Sequence, residues 1–190
     1  MIWSLQETHN VKTGQIKFNK SSEYQVYEVI RNGKSGGGLA LGIHKSLQPV
    51  WVGQGQGEVE AMTVCVTLKQ MKIRVTNGYG PQEYDPQEKK EKFWIYLENE
   101  VRKCFQEGYG CMINMDANSW LGRDYNSKDP HSRNNNGKLF HEFLERNQHL
   151  SVVNTTDKCK GSITRSRIVQ GKVEESRIDF IIVCDRLAAC

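Results

Sequence analysis

Apolar residues along this chain recur at two spacings, and the switches between them map its elements. Residues 85–107 hold the longest stretch at helical spacing, with Phe93, Trp94, Leu97, Val101, Cys104 and Phe105 on one stripe. Asp85 is placed to cap this helix, Pro86 suits its first turn, Glu88 completes a capping-box-like pattern, and Gly108 ends it. A second helix is predicted after residues 134–136, with Leu139, Phe140, Phe143 and Leu144 inward. Elsewhere the runs are short and rich in β-branched residues. A strand ends near Leu5. Residues 24–30 and 38–44 read as strands flanking an Asn32-Gly33 turn and a glycine run. Residues 59–68 and 71–77 form a hairpin across the short Lys69-Gln70 link. Further strands are predicted over 151–154, 162–169 and 178–184. The last is almost continuously apolar, which predicts a central strand covered on both faces.

This order is mostly strands with two helices at intervals. It predicts two packed sheets with helices outside rather than a doubly wound parallel sheet. The 190 residues suggest one domain with a substantial core; no repeat or linker divides them. Residues 121–136 read as a long, exposed polar loop. A net charge of +4 is compatible with a polyanionic partner without demanding one. No apolar run approaches the ~20 residues that span a bilayer, so no membrane partner is expected. The start lacks the basic and apolar regions of a signal peptide. The six cysteines form no Cys-x-x-Cys pair, and four of them (Cys65, Cys104, Cys111, Cys184) lie in apolar patterns. Reduced, mostly buried thiols in an intracellular protein are expected, and the sequons at Asn19 and Asn154 then carry no meaning.

The candidate chemistry begins where an apolar strand, Cys111-Met-Ile-Asn-Met-Asp116, runs into an acid and two residues later an amide, Asn118. Strand residues two apart share a face, so the pair can meet at the strand's carboxyl end. A carboxylate there can bind a metal or move a proton; an amide can hold a phosphate oxygen without adding negative charge. Such residues also end strands for turn reasons alone. Gly33-Lys34-Ser35 is not a phosphate-binding loop, because that motif needs glycine where Glu28 stands. Gly53-Gln-Gly-Gln-Gly57 reads as a flexible loop. The five histidines form no zinc motif, and His141 and His149 belong to the solvent side of the second helix.

Three other islands, in order along the chain, join that first one to make four. They are Leu5-Gln-Glu7-Thr-His9, Asn77-Gly-Tyr79-Gly-Pro81-Gln82, Asn114-Met-Asp116-Ala-Asn118-Ser-Trp120 and Ser176-Arg-Ile-Asp179-Phe-Ile-Ile. Together they resemble the endonuclease/exonuclease/phosphatase superfamily. Within it, the chain is most similar to the apurinic-endonuclease-like endonuclease domain of non-LTR, LINE-type retrotransposons. The resemblance implies an α+β fold, a four-layer α/β/β/α sandwich of two mostly antiparallel sheets. It implies that Glu7 binds Mg²⁺ (Mn²⁺ as an alternative), that Tyr79 hydrogen-bonds the scissile phosphate, and that Asp116 handles a proton of water or leaving oxygen. It further implies that Asn118 holds the phosphate and that aspartate, and that Asp179 orients a catalytic histidine. Thr164 and Ser176 resemble phosphate-side positions, equally read as ordinary strand hydroxyls. Lys158, Lys160, Arg165, Arg167, Lys172 and Arg177 flank these residues and can pair with backbone phosphates or form a solvated basic surface.

The implied activity is a Mg²⁺-dependent DNA endonuclease that nicks one strand to prime reverse transcription. DNA would be its partner, a reverse transcriptase domain would follow in a full-length protein, and its place of action would be the nucleus. The pattern departs in two places. No histidine follows His149, so the family's final Ser-Asp-His motif is missing, and so is the opening strand with its asparagine. This predicts a fragment cut at both ends, poorly active and aggregation-prone. It also admits a nuclease-derived domain that only binds, or another phosphoesterase of the same superfamily.

Overall fold

The computed structural model describes residues 1–10, 14, 16, 21–31, 37–123, 125, 131–156, 159, 163–169 and 171–188. The Asn32-Gly33 turn, Gly33-Lys34-Ser35, Asn19, Lys158 and Lys160 lie outside them. Among the described residues eleven strands form three sheets. The largest contains β4 (Val50–Gln54), β5 (Ala61–Leu68), β6 (Met71–Tyr79), β7 (Gly110–Asp116), β8 (Leu150–Val152) and β11 (Asp179–Cys184), in the order β4-β5-β6-β7-β11-β8. All its neighbours are antiparallel except β6 and β7, which run parallel. A parallel pair needs a long crossover. Helix α1 (Gln87–Gln106) supplies it. The second sheet joins β1 (Ile2–Gln6), β2 (Tyr24–Val29) and β3 (Leu39–His44) in the order β1-β3-β2. The third is a lone hairpin, β9 (Arg165–Val169) with β10 (Lys172–Ser176).

Two cores form on opposite faces of the large sheet. On one, α1 and helix α2 (Asn135–Arg146) pack over β7 and β11 through Phe93, Trp94, Leu97, Phe140, Phe143, Ile113, Phe180 and Ile182. Phe140 stacks on Trp94 at 5.1 Å and meets Phe180 edge-on at 4.9 Å. On the other face, Leu39, Leu41 and Ile43 of β3 pack on Met62, Val64, Ile73 and Val75. Alternation along each strand makes this possible: Val75 faces one core, and Arg74 turns under α1 to Glu100 and Glu107. The layering expected from the sequence is therefore present as helices, large sheet and small sheet. Among the described residues no α-helix covers the outer face of the small sheet.

Several details differ from the sequence expectations. Asp85 does not cap α1: its Oδ2 accepts from the backbone of Gln82 at 2.8 Å and pairs with Lys89, so it closes the preceding turn instead. Glu88 pairs with Lys92 rather than completing a box. Phe105 leaves the buried stripe: it is exposed, while Val101 and Cys104 beside it stay in the core. Val50–Gln54 is a strand, with a bulge between Trp51 and Gly53, so the glycine-rich loop starts later than read. β10 was missed because its Glu174 and Glu175 conceal a strand pattern. Residues 121–136 are not simply exposed, for Leu121, Gly122 and Asn136 are buried. The strand at 151–154 stops at Val152 and gives way to a 3₁₀ turn, Val153–Thr155. His141 and His149 are half-buried, and the His149 ring lies 3.9 Å from that of Phe105. β11 is central, yet Ile181 is 40% exposed, because the small sheet does not extend over it.

Candidate active site

The parallel pairing of β6 and β7 brings their carboxyl ends level, and β11 enters antiparallel beside them. Tyr79 is the register partner of Asp116, and Asp116 is the partner of Asp179. Three residues from distant parts of the sequence thus stand in one row across adjacent strands. Register partners share a face. Tyr79 packs in the core beneath the small sheet, so the row points to that side and away from the helices. Close packing at this end is enforced by Gly80: its N–H donates to the Asp116 carbonyl at 2.6 Å, and a Cβ there would lie 2.5 Å from the Ala117 carbonyl oxygen.

Glu7 comes from the other sheet. It follows β1 directly with φ of 51°, the left-handed region, and its Oε1 accepts from the Tyr79 hydroxyl at 2.6 Å. The same hydroxyl accepts from Gln82 Nε2 at 2.6 Å. Gln82, Tyr79 and Glu7 form a short relay that bridges the two sheets. Below it Asn77 is a second bridge. Its amide donates to the carbonyls of Leu5 and Ala40, at 3.0 and 2.9 Å, and accepts from Gln6 at 2.6 Å.

Asn118 lies near Asp116, though not by strand alternation. β7 ends at Asp116, and Asn118 takes a left-handed φ of 46°. Asn is among the few residues that tolerate this. Its N–H donates to Asp116 Oδ1 at 2.9 Å, and its side chain donates to the Gly80 carbonyl at 2.8 Å. Thr164 is exposed at the base of the β9–β10 hairpin, and its Oγ1 accepts from the backbones of Ile178 and Asp179 at 3.0 and 3.2 Å. Ser176 meets Thr164 through its backbone carbonyl and is itself buried. Arg165 is exposed and close enough for its charge to act on Asp116. Arg177 is buried, unlike the surface cation expected, and Arg167 is committed to Glu174 at 2.8 Å. Asn154 was not singled out as a site residue. It donates to the Asp179 carbonyl at 2.8 Å and accepts from the Ile181 N–H at 3.0 Å, pinning β11 where the site begins. No local signal marks it, since its partners are backbone groups 25 and 27 residues away.

The electrostatics follow from this crowding. Burial pushes the Asp116 carboxyl up to about 7; Asp179 and Glu7 push the same way, while the Asn118 N–H and Arg165 oppose it. Asp179 is raised chiefly by burial, with Glu7 adding to it and Thr164 opposing it. Tyr79 is held far above the usual tyrosine range by burial and by its hydrogen bond to Glu7. The donor set is all oxygen, which suits a hard divalent cation. Among the described residues no three His, Cys, Asp or Glu side chains close into a ready cage.

Solved structures share this fold. The endonuclease domain of TRAS1, a telomere-specific non-LTR retrotransposon, superposes with a TM-score of 0.61 at 15% identity, covering 88% of this chain and 69% of that one. The 3′-5′ exonuclease NExo from Neisseria meningitidis gives 0.66 at 18% identity, over 99% and 78% of the two chains. The catalytic domain of APE2 from Xenopus laevis gives 0.66 at 16%, over 88% and 68%. The chain therefore has the endonuclease/exonuclease/phosphatase fold, and the resemblance carried by the four islands holds as a shared fold. No family model and no curated protein sequence matches it.

Proposed function

We propose that this chain is a metal-dependent phosphodiesterase acting on DNA, a nicking endonuclease of the retrotransposon type whose cut primes reverse transcription. The observation that carries the reading is the row of Tyr79, Asp116 and Asp179 across three adjacent strands, with Glu7 joined to it from the second sheet. A phosphodiester is anionic and resists attack, so the site must take up a proton and neutralise charge. Asp116, poised near neutrality, takes the proton of the attacking water. The water oxygen bonds to phosphorus, the bond to the 3′ oxygen breaks, and that oxygen takes up a proton from a solvent water, leaving a 3′-hydroxyl and a 5′-phosphate. The Tyr79 hydroxyl stays protonated; released from Glu7 when that carboxylate turns to a cation, it would donate to a phosphate oxygen, and the second N–H of the Asn118 amide does the same. Asp179 stands beside Asp116 and raises the affinity of that carboxyl for a proton. Arg165 at the mouth pairs with the DNA backbone. Glu7 would hold Mg²⁺, with Asp179 as a second oxygen donor; the bound ion would supply charge neutralisation on the phosphate oxygens.

The test is plasmid nicking with Mg²⁺, comparing the chain with Asp116→Ala and with an EDTA control. Open-circular product that needs Mg²⁺ and vanishes in the variant supports the reading. DNA binding without Mg²⁺-dependent nicking would replace it with a nuclease-derived binding domain.

A further inference from the structure

The loop after Tyr79 is held at every residue except one. Asn136 Nδ2 donates to the Pro81 carbonyl at 2.6 Å. Gln82 and Asp85 close a turn on each other, N–H of Gln82 to Oδ2 of Asp85 at 2.8 Å and N–H of Asp85 to the Gln82 carbonyl at 3.0 Å. Glu83 is fixed twice over. Its carboxylate caps the first N–H groups of α2, at Asn135 and Asn136, both at 3.2 Å, and Lys90 donates to its carbonyl. Negative charge at a helix N-terminus is favourable, which tightens that clamp. Between these anchors Tyr84 projects with 86% of its surface exposed. It lines a cavity of about 320 Å³ whose other walls include Glu7, Tyr79 and Gln82.

Single exposed apolar residues are ordinary on protein surfaces. Tyr84 differs in its setting: a rigid loop holds a bare ring at the rim of the cavity that contains Glu7 and Tyr79. A preorganised aromatic loses little entropy on contact, and every nucleobase offers a π-face to it. Bases inside an intact duplex are already stacked on both sides, so only an unpaired or extruded base can use such a platform. We infer that Tyr84 is a stacking platform for an unpaired base beside the scissile phosphate, and that the chain therefore prefers DNA that is locally unpaired over a perfect duplex. This rests on the nuclease reading above.

The test measures binding by fluorescence anisotropy, with Mg²⁺ present and in an Asp116→Asn background that blocks turnover. The probes are two labelled duplexes of one sequence, one fully paired and one with a single unpaired base. Tighter binding of the unpaired duplex is expected. Tyr84→Ala should weaken that duplex about 10- to 100-fold, hardly change the paired one, and Tyr84→Phe should restore the preference. Unchanged binding by Tyr84→Ala overturns the platform and leaves the nuclease reading standing, as long as Asp116-dependent nicking persists. Loss in both Tyr84→Ala and Tyr84→Phe assigns the effect to the hydroxyl and also overturns stacking. If the chain neither binds either duplex nor nicks plasmid, both proposals fall together.

Discussion

The two faces of the large sheet are built from alternate residues of the same strands, yet they differ in kind. Under the helices, β7 and β11 present Ile113, Met115, Phe180 and Ile182, all buried and apolar. On the other face the same two strands present Asn114, Asp116 and Asp179, with Asn77 and Tyr79 alongside on β6. Both faces carry a core, but at the carboxyl ends of β6 and β7 the face under the small sheet also gathers groups that cost stability. Asp116 is 9% exposed and held near a pKa of about 7, so its ionised form is disfavoured by its surroundings. The period-2 alternation of a strand lets one short segment serve both ends: Met115 anchors the core and Asp116, one residue on, faces the site.

Four experiments break or sharpen this contrast. The largest effect is expected from Asp116→Ala on nicking, a loss of about 10²–10⁴-fold in rate if Asp116 handles a proton. A variant within threefold of the parent would remove Asp116 from the chemistry. On the opposite face, Phe140→Ala empties the aromatic contact with Trp94 and Phe180 and should cost about 3–5 kcal/mol in a urea melt. A shift below ~1 kcal/mol would show that the helix-covered core repacks.

The third test concerns pH, in EDTA. A carboxylate whose folded pKa lies above its unfolded value of about 3.9 lets the fold hold a proton that the unfolded chain has released. Asp116 therefore destabilises the fold increasingly as pH rises from about 4 to about 7, and fully above that. Asp116→Asn should accordingly stabilise the protein at pH 8 by roughly 2–4 kcal/mol and by much less at pH 4. An equal gain at both values would mean that ionisation is not the cause. The smallest effect is expected from Asn154→Ala, about 1–2 kcal/mol for its two hydrogen bonds to β11, with a larger loss of nicking than of stability. A stability loss with nicking unchanged would show that Asp179 does not depend on that anchor.

Much of the site was legible locally. An apolar strand ending in an acid flagged Asp116, and an acid inside a run as apolar as Ile178 to Cys184 asked for a reason. Strand alternation would set Asn118 beside Asp116, but the backbone does not follow it; Asn118 reaches Asp116 through a left-handed turn. Asp85 failed as a cap because Lys89 and the Gln82 N–H compete for the same oxygen, and a capping pattern carries no information about that competition. Gln82, Asn77 and Asn154 could not be assigned roles, because an amide's value lies in which distant backbone or side chain it meets.

The sequence by itself determined most of the strands, though not β4 or β10, the two long helices and the identity of the polar residues that interrupt the apolar runs, because these follow from propensity and period within a few residues. The tertiary structure decided the register that aligns Tyr79, Asp116 and Asp179, the bridge from Glu7 to Tyr79, and the burial that lifts Asp116 to about 7. Register and burial are properties of pairs of segments 37 to 72 residues apart, and no local pattern encodes which of them will meet.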